Sequence, residues 1–302
     1  MMSGQNPILN SVLSRLWLFL LMLSFPPLSA QEVAFPYPDL PDSIQVPYER
    51  MEYLLTHYWD RYDFSDTTAV NRTAGEQGFS DFIYTLALAD SLLTDESARR
   101  FVKKAFGTEQ NALHYDGLMA HYLLNPSSPL RNDVVYAAFL RRVVSDCTQC
   151  PAVVRHQSEF RLRQVNKNLP GAVAADFAYQ TRSGTKGRLH QLEAPYLLLV
   201  FHAPDCENCD RILPELMKEP ALLDARVKVL AVYPYDDTEL WKQKPLQAPG
   251  NWIDARGADG ESLESLYFIQ ATPSLYLLDA QKRVLLKDAT PQAVIRYLNT
   301  QQ

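Results

Sequence analysis

The sequence predicts two structural parts, an all-α segment followed by an α/β domain whose central mixed sheet is flanked by helices. Three observations carry this. Apolar residues such as Phe79, Phe82, Ile83 and Leu86 recur at three- and four-residue spacing up to about residue 145, the period of an amphipathic helix. Beyond "LPG" at 169–171 the pattern changes to apolar runs of strand length, "YLLLVF" and "VKVLAVYPY", alternating with helical stretches. All four cysteines fall in two C-x-x-C units, Cys147/Cys150 and Cys206/Cys209, and the second stands between such a run and a helix.

Residues 1–30 read as a secretory signal. Arg15 is their only charged side chain, "LWLFLLMLSF" follows, and "PPLSA" ends on small residues at Ser29 and Ala30. The apolar run is too short to span a bilayer, so no stable membrane insertion is expected after the signal is removed. Position 31 is Gln31, where a lipid anchor would need cysteine. The mature chain is therefore expected outside the cytoplasm, in the periplasm, where disulfides form. Residues 31–48, with Pro36, Pro38, Pro41 and Pro47, form a proline-rich extended leader.

Residues 49–168 read as a helical module, with helices of about 10–16 residues joined by short loops. Val135, Ala138, Phe139 and Val143 repeat the helical spacing, and "NPSSPLRND" (125–133) is a break. The aromatic stretch "HYWDRYDF" (57–64) suits either a sugar-stacking platform or a core with polar tips, and the core is preferred. Asn71 in "NRT" fits a glycosylation acceptor, a weak motif, and an ordinary turn is the preferred reading. "PAVVRHQSEFRLRQVNKN" (151–168) is a helix with Pro151 at its first position, a favoured place for proline.

Residues 169–302 form the α/β part. A hairpin is expected around Ser183-Gly184-Thr185, then buried strands at 196–201 and 227–235. Helices are expected from near Cys206, near "DTELWKQ" and over 261–268. "SLYLLD" and "RVLLKD" are strands joined by a turn at Ala280-Gln281, and a helix over 291–299 closes the chain. The element order is hairpin, β-α-β-α, α-β-β-α.

Composition narrows the function. With 29 basic and 35 acidic residues, a net charge of −6 and no basic run, the chain lacks the electrostatic footprint of a nucleic-acid binder. At 302 residues and 47% hydrophobic composition it can bury more than one core. Chemistry concentrates at "CENC". Unpaired N–H groups and the dipole at a helix N-terminus stabilise an anion, which lowers the pKa of a thiol there. Cys206 is then the attacking thiolate, and Cys209, one turn on, can displace a substrate from the mixed disulfide.

This half resembles the thioredoxin superfamily, specifically its exported thiol-disulfide oxidoreductases close to the redoxin and thiol-specific-antioxidant group. "PGAVAADFAY", "YLLLVF", "CENC", Pro214 and "ATPSLYLLD" carry the resemblance. It implies an α/β thioredoxin-like fold with the all-α domain in front. It also implies a cis-proline at Pro273 facing the cysteine pair, with Thr272 touching the substrate backbone, and a helix kinked at Pro214. The 67 residues from Cys206 to Pro273 leave room for the extra strand and helix of the exported subgroup. "FPYPDLPDS", "HYWDRYDF" and "NPSSPLRND" resemble an N-terminal module of exported bacterial thioredoxin-like proteins that has no assigned activity.

The sequence also departs from the family. Asp205 stands where thioredoxin has tryptophan, and Val200 where it has the buried acid that helps deprotonate the second cysteine, so the general base is unassigned. His202 replaces an aromatic; it either stabilises the thiolate and shuttles its proton or is a packed, hydrogen-bonded ring. Glu207 and Asn208 lie between the cysteines. Asp205, Glu207 and Asp210 put negative charge around the thiol, which opposes the thiolate and favours a reductant. A four-sulfur zinc site would join pairs 59 residues apart in different parts of the chain, so no metal is expected. Ala203 occupies the position where a peroxidase needs threonine. Cys147/Cys150 is either a local disulfide at the interdomain turn, the preferred reading, or a second redox pair.

The expected activity is thiol-disulfide exchange through Cys206 and Cys209. The dithiol serves as its own redox group without a further cofactor, with protein thiols or disulfides and an electron donor as partners. The alternative is a binding or scaffold protein that recognises through the helical module while the thioredoxin-like fold stays redox-idle.

Overall fold

The computed structural model describes residues 34–258, 260 and 262–301, and the signal read at residues 1–30 lies outside the described residues. The helices are α1 (Pro47–His57), α2 (Ala69–Leu86), α3 (Ser91–Ala105), α4 (Glu109–Met119, continued by a π turn over Ala120–Leu124), α5 (Asp133–Asp146) and α6 (Ala152–Val165). Local chemistry sets their starts. Thr68, Asp90, Thr108 and Asn132 each accept a hydrogen bond from a free N–H of the first turn of α2, α3, α4 and α5. Phe79, Phe82, Phe101 and Phe139 meet in the middle of this bundle, with ring centroids 5.3–6.2 Å apart.

The aromatic stretch at 57–64 is core. Tyr58, Trp59 and Tyr62 are buried, and the Tyr58 hydroxyl donates to the Gly78 carbonyl at 2.9 Å. Phe35 of the leader inserts among these rings, stacked on Tyr58 and Tyr62. A Cβ at Gly78 would lie 2.2 Å from the Phe35 ring, so the close approach requires glycine there. The leader is thus part of the core, which its prolines did not suggest.

Three local expectations need correction. Asn71 lies in the first turn of α2 rather than in a loop turn, because its side-chain amide donates to the Asp63 and Asp66 carbonyls and straps the preceding loop to the helix. Pro151 is the N-cap of α6 and not its first helical residue: its ψ of 146° is extended while its carbonyl accepts from Arg155 N–H. The helical segment starts at Pro47, inside the expected leader, since proline suits the first turn of a helix.

The second half contains β1 (Ala178–Thr181), β2 (Lys186–Arg188), β3 (Tyr196–Phe201), α7 (Glu207–Leu216), α8 (Pro220–Leu223), β4 (Val227–Tyr233) and α9 (Thr238–Gln243), then β5 (Trp252–Gly257), α10 (Leu263–Leu266), β6 (Ser274–Asp279), β7 (Val284–Leu286) and α11 (Pro291–Thr300). The sheet runs β2-β1-β5-β4-β3-β6-β7, with β3, β4 and β5 parallel to one another and the other pairings antiparallel. The expected element order lacked β5. Its run "WIDARG" alternates charge with apolar residues because Asp254 pairs with Arg182 and Arg256 bonds Gln180, so polar residues sit in an interior strand with partners.

Alternation along β3 divides the core in two. Leu197, Leu199 and Phe201 pack with Phe177 and Tyr267 on one face, and Leu198 and Val200 pack with α7 and α11 on the other. Asn168, in left-handed conformation at φ 52°, joins the halves: its side chain donates to the Leu266 carbonyl and accepts from Ala175 N–H. Nearby, Arg131 pairs with Asp288 at 2.7 Å and Lys287 with Asp133 at 2.7 Å, all four side chains being mostly buried.

Candidate functional site

The last residue of β3 delivers the chain through His202–Asp205 to Cys206, which is the N-cap of α7. Cys206 Sγ accepts from the Cys209 N–H at 3.0 Å, so the sulfur sits where the free amides of the helix end point. Cys206 and Cys209 are bonded to each other, the first half-buried and the second 2% exposed. The Thr272 carbonyl oxygen lies 3.1 Å from Cys206 Sγ, and the Thr272–Pro273 peptide is cis. Pro214 lies inside α7. The fold therefore brings together Cys206, Cys209, Thr272 and Pro273, from two loops at one end of the sheet.

Charge around the sulfur is less one-sided than the sequence suggests. Asp205 and Glu207 are exposed beside it. Asp210 is paired with Lys244 at 2.6 Å, and the same ammonium donates to the Pro204 carbonyl at 2.9 Å. All three acids are exposed, and of them Asp210 is compensated by Lys244.

Behind Cys209 lies a cavity of about 390 Å³, walled by His202, Cys209, Leu213, Pro214, Met217 and Leu246. His202 is 3% exposed and its Nε2 has no hydrogen-bond partner among the described residues. Burial pushes the imidazole down to about 4, with Asp254 opposing and Arg182 reinforcing the shift. A neutral ring supplies no positive charge to the Cys206 thiolate. Asp254 is a site-proximal acid that sequence reading missed. It lies on the unforeseen strand β5, held by Arg182, Trp241 Nε1 at 3.2 Å and Leu246 N–H at 3.0 Å.

The state of His202 makes stability depend on pH. The unfolded imidazole takes up a proton below about 6.5 and the folded one only below about 4, so stability is full above the first value and falls as pH drops toward the second. The loss is about 3 kcal/mol. Asp116 and Asp288, whose carboxyls burial raises, act in the opposite direction and are present in wild type and in a His202→Phe variant alike. Urea unfolding of His202→Phe at pH 7 and 4.5 is expected to show a smaller acid loss than wild type. Equal losses would remove His202 from this account.

Cys147 and Cys150 form their own disulfide, with Cys147 packed in the helical core. The two cysteine pairs thus belong to different cores, and each is closed on itself.

A family model described as a domain of unknown function, DUF5106, matches residues 11–168. The chain is similar to the crystal structure of a thioredoxin-like protein from Bacteroides caccae, at 30% identity and TM-score 0.83, covering 89% of this chain and 99% of that one. The chain is a thioredoxin-like protein of the DUF5106 family. Two further similar structures, each covering less than half of this chain, are a conserved protein of unknown function from Bacteroides fragilis and the thioredoxin domain of a thiol-disulfide oxidoreductase from Bacteroides vulgatus. The first is 38% identical, with TM-score 0.41, covering 43% of this chain and 98% of that one. The second is 19% identical, with TM-score 0.39, covering 44% and 96%. No curated protein matches. The DUF5106 match contains the described helical bundle and its leader, and the thioredoxin-like domain carries both site loops.

Proposed function

We propose that the chain is an exported thiol-disulfide oxidoreductase working as a reductant. The observation that carries this is the placement of Cys206 Sγ, 3.0 Å from the Cys209 N–H at the start of α7 and 3.1 Å from the Thr272 carbonyl beside Pro273. The Cys206 thiolate attacks one sulfur of a substrate disulfide; that S–S bond breaks, leaving a mixed disulfide and one substrate thiolate. Cys209, deprotonated, attacks Cys206 Sγ, closes the Cys206–Cys209 disulfide and releases the second thiolate. Two electrons pass to the substrate, and its two thiolates take up the two protons the dithiol lost. A dithiol electron donor then restores the pair.

Export is supported by the residue pattern at 1–30, and the closed Cys147–Cys150 pair is compatible with it. No helix among the described residues is long and apolar enough to cross a membrane. The scaffold reading is weaker because the aromatic cluster it would use is buried.

The test is the reduction potential of the Cys206–Cys209 pair with Cys147 and Cys150 replaced by alanine. The exposed acids Asp205 and Glu207 disfavour the thiolate, so a value near ~−270 mV is expected, as in reducing members of the superfamily. A value toward ~−120 mV, or a Cys206 pKa below about 5, would make the protein an oxidant and overturn the charge argument.

A further inference from the structure

Beside Pro273 the surface opens into a groove of about 320 Å³. Helix α7 supplies one wall with Asn208 and Arg211, and Thr272 and Pro273 line the groove beside it. The opposite wall comes from the DUF5106 domain, through Pro126, Ser127 and Arg131 of the loop between α4 and α5. This loop is fixed. Asn125 Oδ1 accepts from Ser127 N–H at 3.0 Å, and Asn132 N–H donates to the Leu123 carbonyl at 3.2 Å. Arg131 donates to Asp288 at 2.7 Å, and the other Asp288 oxygen accepts from the hydroxyl of Ser274, the residue after the cis-proline. The loop and the proline segment are thereby held at a set spacing, as a wall rather than a flap.

Charge in the groove is asymmetric. Asp288 is buried and engaged by Arg131 and Ser274. Arg211 is exposed, and among the described residues its guanidinium bonds only the neutral side-chain oxygen of Asn208, at 3.1 Å. Asp210, its neighbour, is occupied by Lys244. Among the described residues, Arg211 is therefore a groove cation with no carboxylate partner, next to the cysteine pair.

We propose that the DUF5106 domain completes the substrate groove, and that the groove takes an extended peptide segment bearing a disulfide cysteine with an acidic residue beside it, the carboxylate meeting Arg211. This rests on Cys206 being the attacking thiol. A bare small disulfide reaches Cys206 without touching Ser127, whereas a peptide continuing past Pro273 runs between α7 and the DUF5106 loop. Arg211, with its planar fork of donors, suits a carboxylate.

The test compares three disulfides with a dithiol as electron source: hydroxyethyl disulfide, and two synthetic peptides dimerised through a central cysteine flanked by glutamate or by lysine. Ser127 is exposed, so Ser127→Trp narrows the groove without entering the core. It is expected to lower the ratio of peptide to hydroxyethyl disulfide turnover by about tenfold, while Arg211→Glu reverses the preference for the glutamate peptide by about tenfold or more. An unchanged ratio in Ser127→Trp overturns the wall. An unchanged charge preference in Arg211→Glu overturns the acidic flank. Wild type that turns over none of the three overturns the role of Cys206, and the groove proposal with it.

Discussion

Cys209→Ser will accumulate mixed disulfides with its substrates, and Cys206→Ser will not. The geometry makes the two sulfurs unequal. Cys206 sits half-exposed at the helix end, where the Cys209 N–H and the dipole favour its anion, and Cys209 is 2% exposed beneath it. A substrate disulfide can reach only the first. With Cys209 lost, attack proceeds and resolution does not, so the covalent adduct persists. Both variants lose catalytic disulfide reduction, by about a thousandfold or more, because nucleophile and resolving group act as a unit. Non-reducing electrophoresis followed by reduction reads the adducts directly. Adducts in Cys206→Ser instead would exchange the two roles; adducts in neither would favour the redox-idle scaffold.

Much of the geometry around the cysteine pair is legible in the sequence. "YLLLVF" spans β3 to the residue, because a strand buried on both faces is a continuous apolar run with clear ends. The cysteine spacing and the proline after Thr272 carry local chemistry that needs no knowledge of distant contacts. Strand β5 was invisible for the opposite reason. Asp254 and Arg256 look like loop residues until Arg182 and Gln180, more than 70 residues earlier, are seen to satisfy them. The same holds for Phe35, whose burial depends on the gap left by Gly78. It holds above all for the groove, since nothing in "NPSSPLRND" announces that the loop leans on a proline segment some 140 residues later. Pairings across that distance are properties of the assembled fold.

The seam that produces this groove predicts the largest stability effect. Lys287 is 3% exposed in its side chain and pairs with Asp133 at 2.7 Å, and its ammonium also donates to the Val165 and Lys167 carbonyls at 2.8 Å. Asp133 in turn has no hydrogen-bond donor among the described residues, with Arg131 at 3.9 Å as its other cation. Lys287→Met removes one charge and leaves a buried carboxylate with two carbonyls unpaired, which costs about 3–5 kcal/mol. Asp133→Leu strands the ammonium and should cost a comparable amount. The double variant should recover the part of the loss that comes from the unpaired charge, since a buried pair replaced whole by apolar side chains is close to neutral, while the Val165 and Lys167 carbonyls stay without the Lys287 donor. Urea unfolding of the four proteins measures this cycle, and a coupling below about 1 kcal/mol would show that the pair does not hold the seam. Because Asp133 opens α5 directly after the 125–132 loop, Lys287→Met should also lower the ratio of peptide to small-disulfide turnover in the same direction as Ser127→Trp. A seam that loosens without moving that ratio would separate the stability of the two domains from the shape of the groove between them.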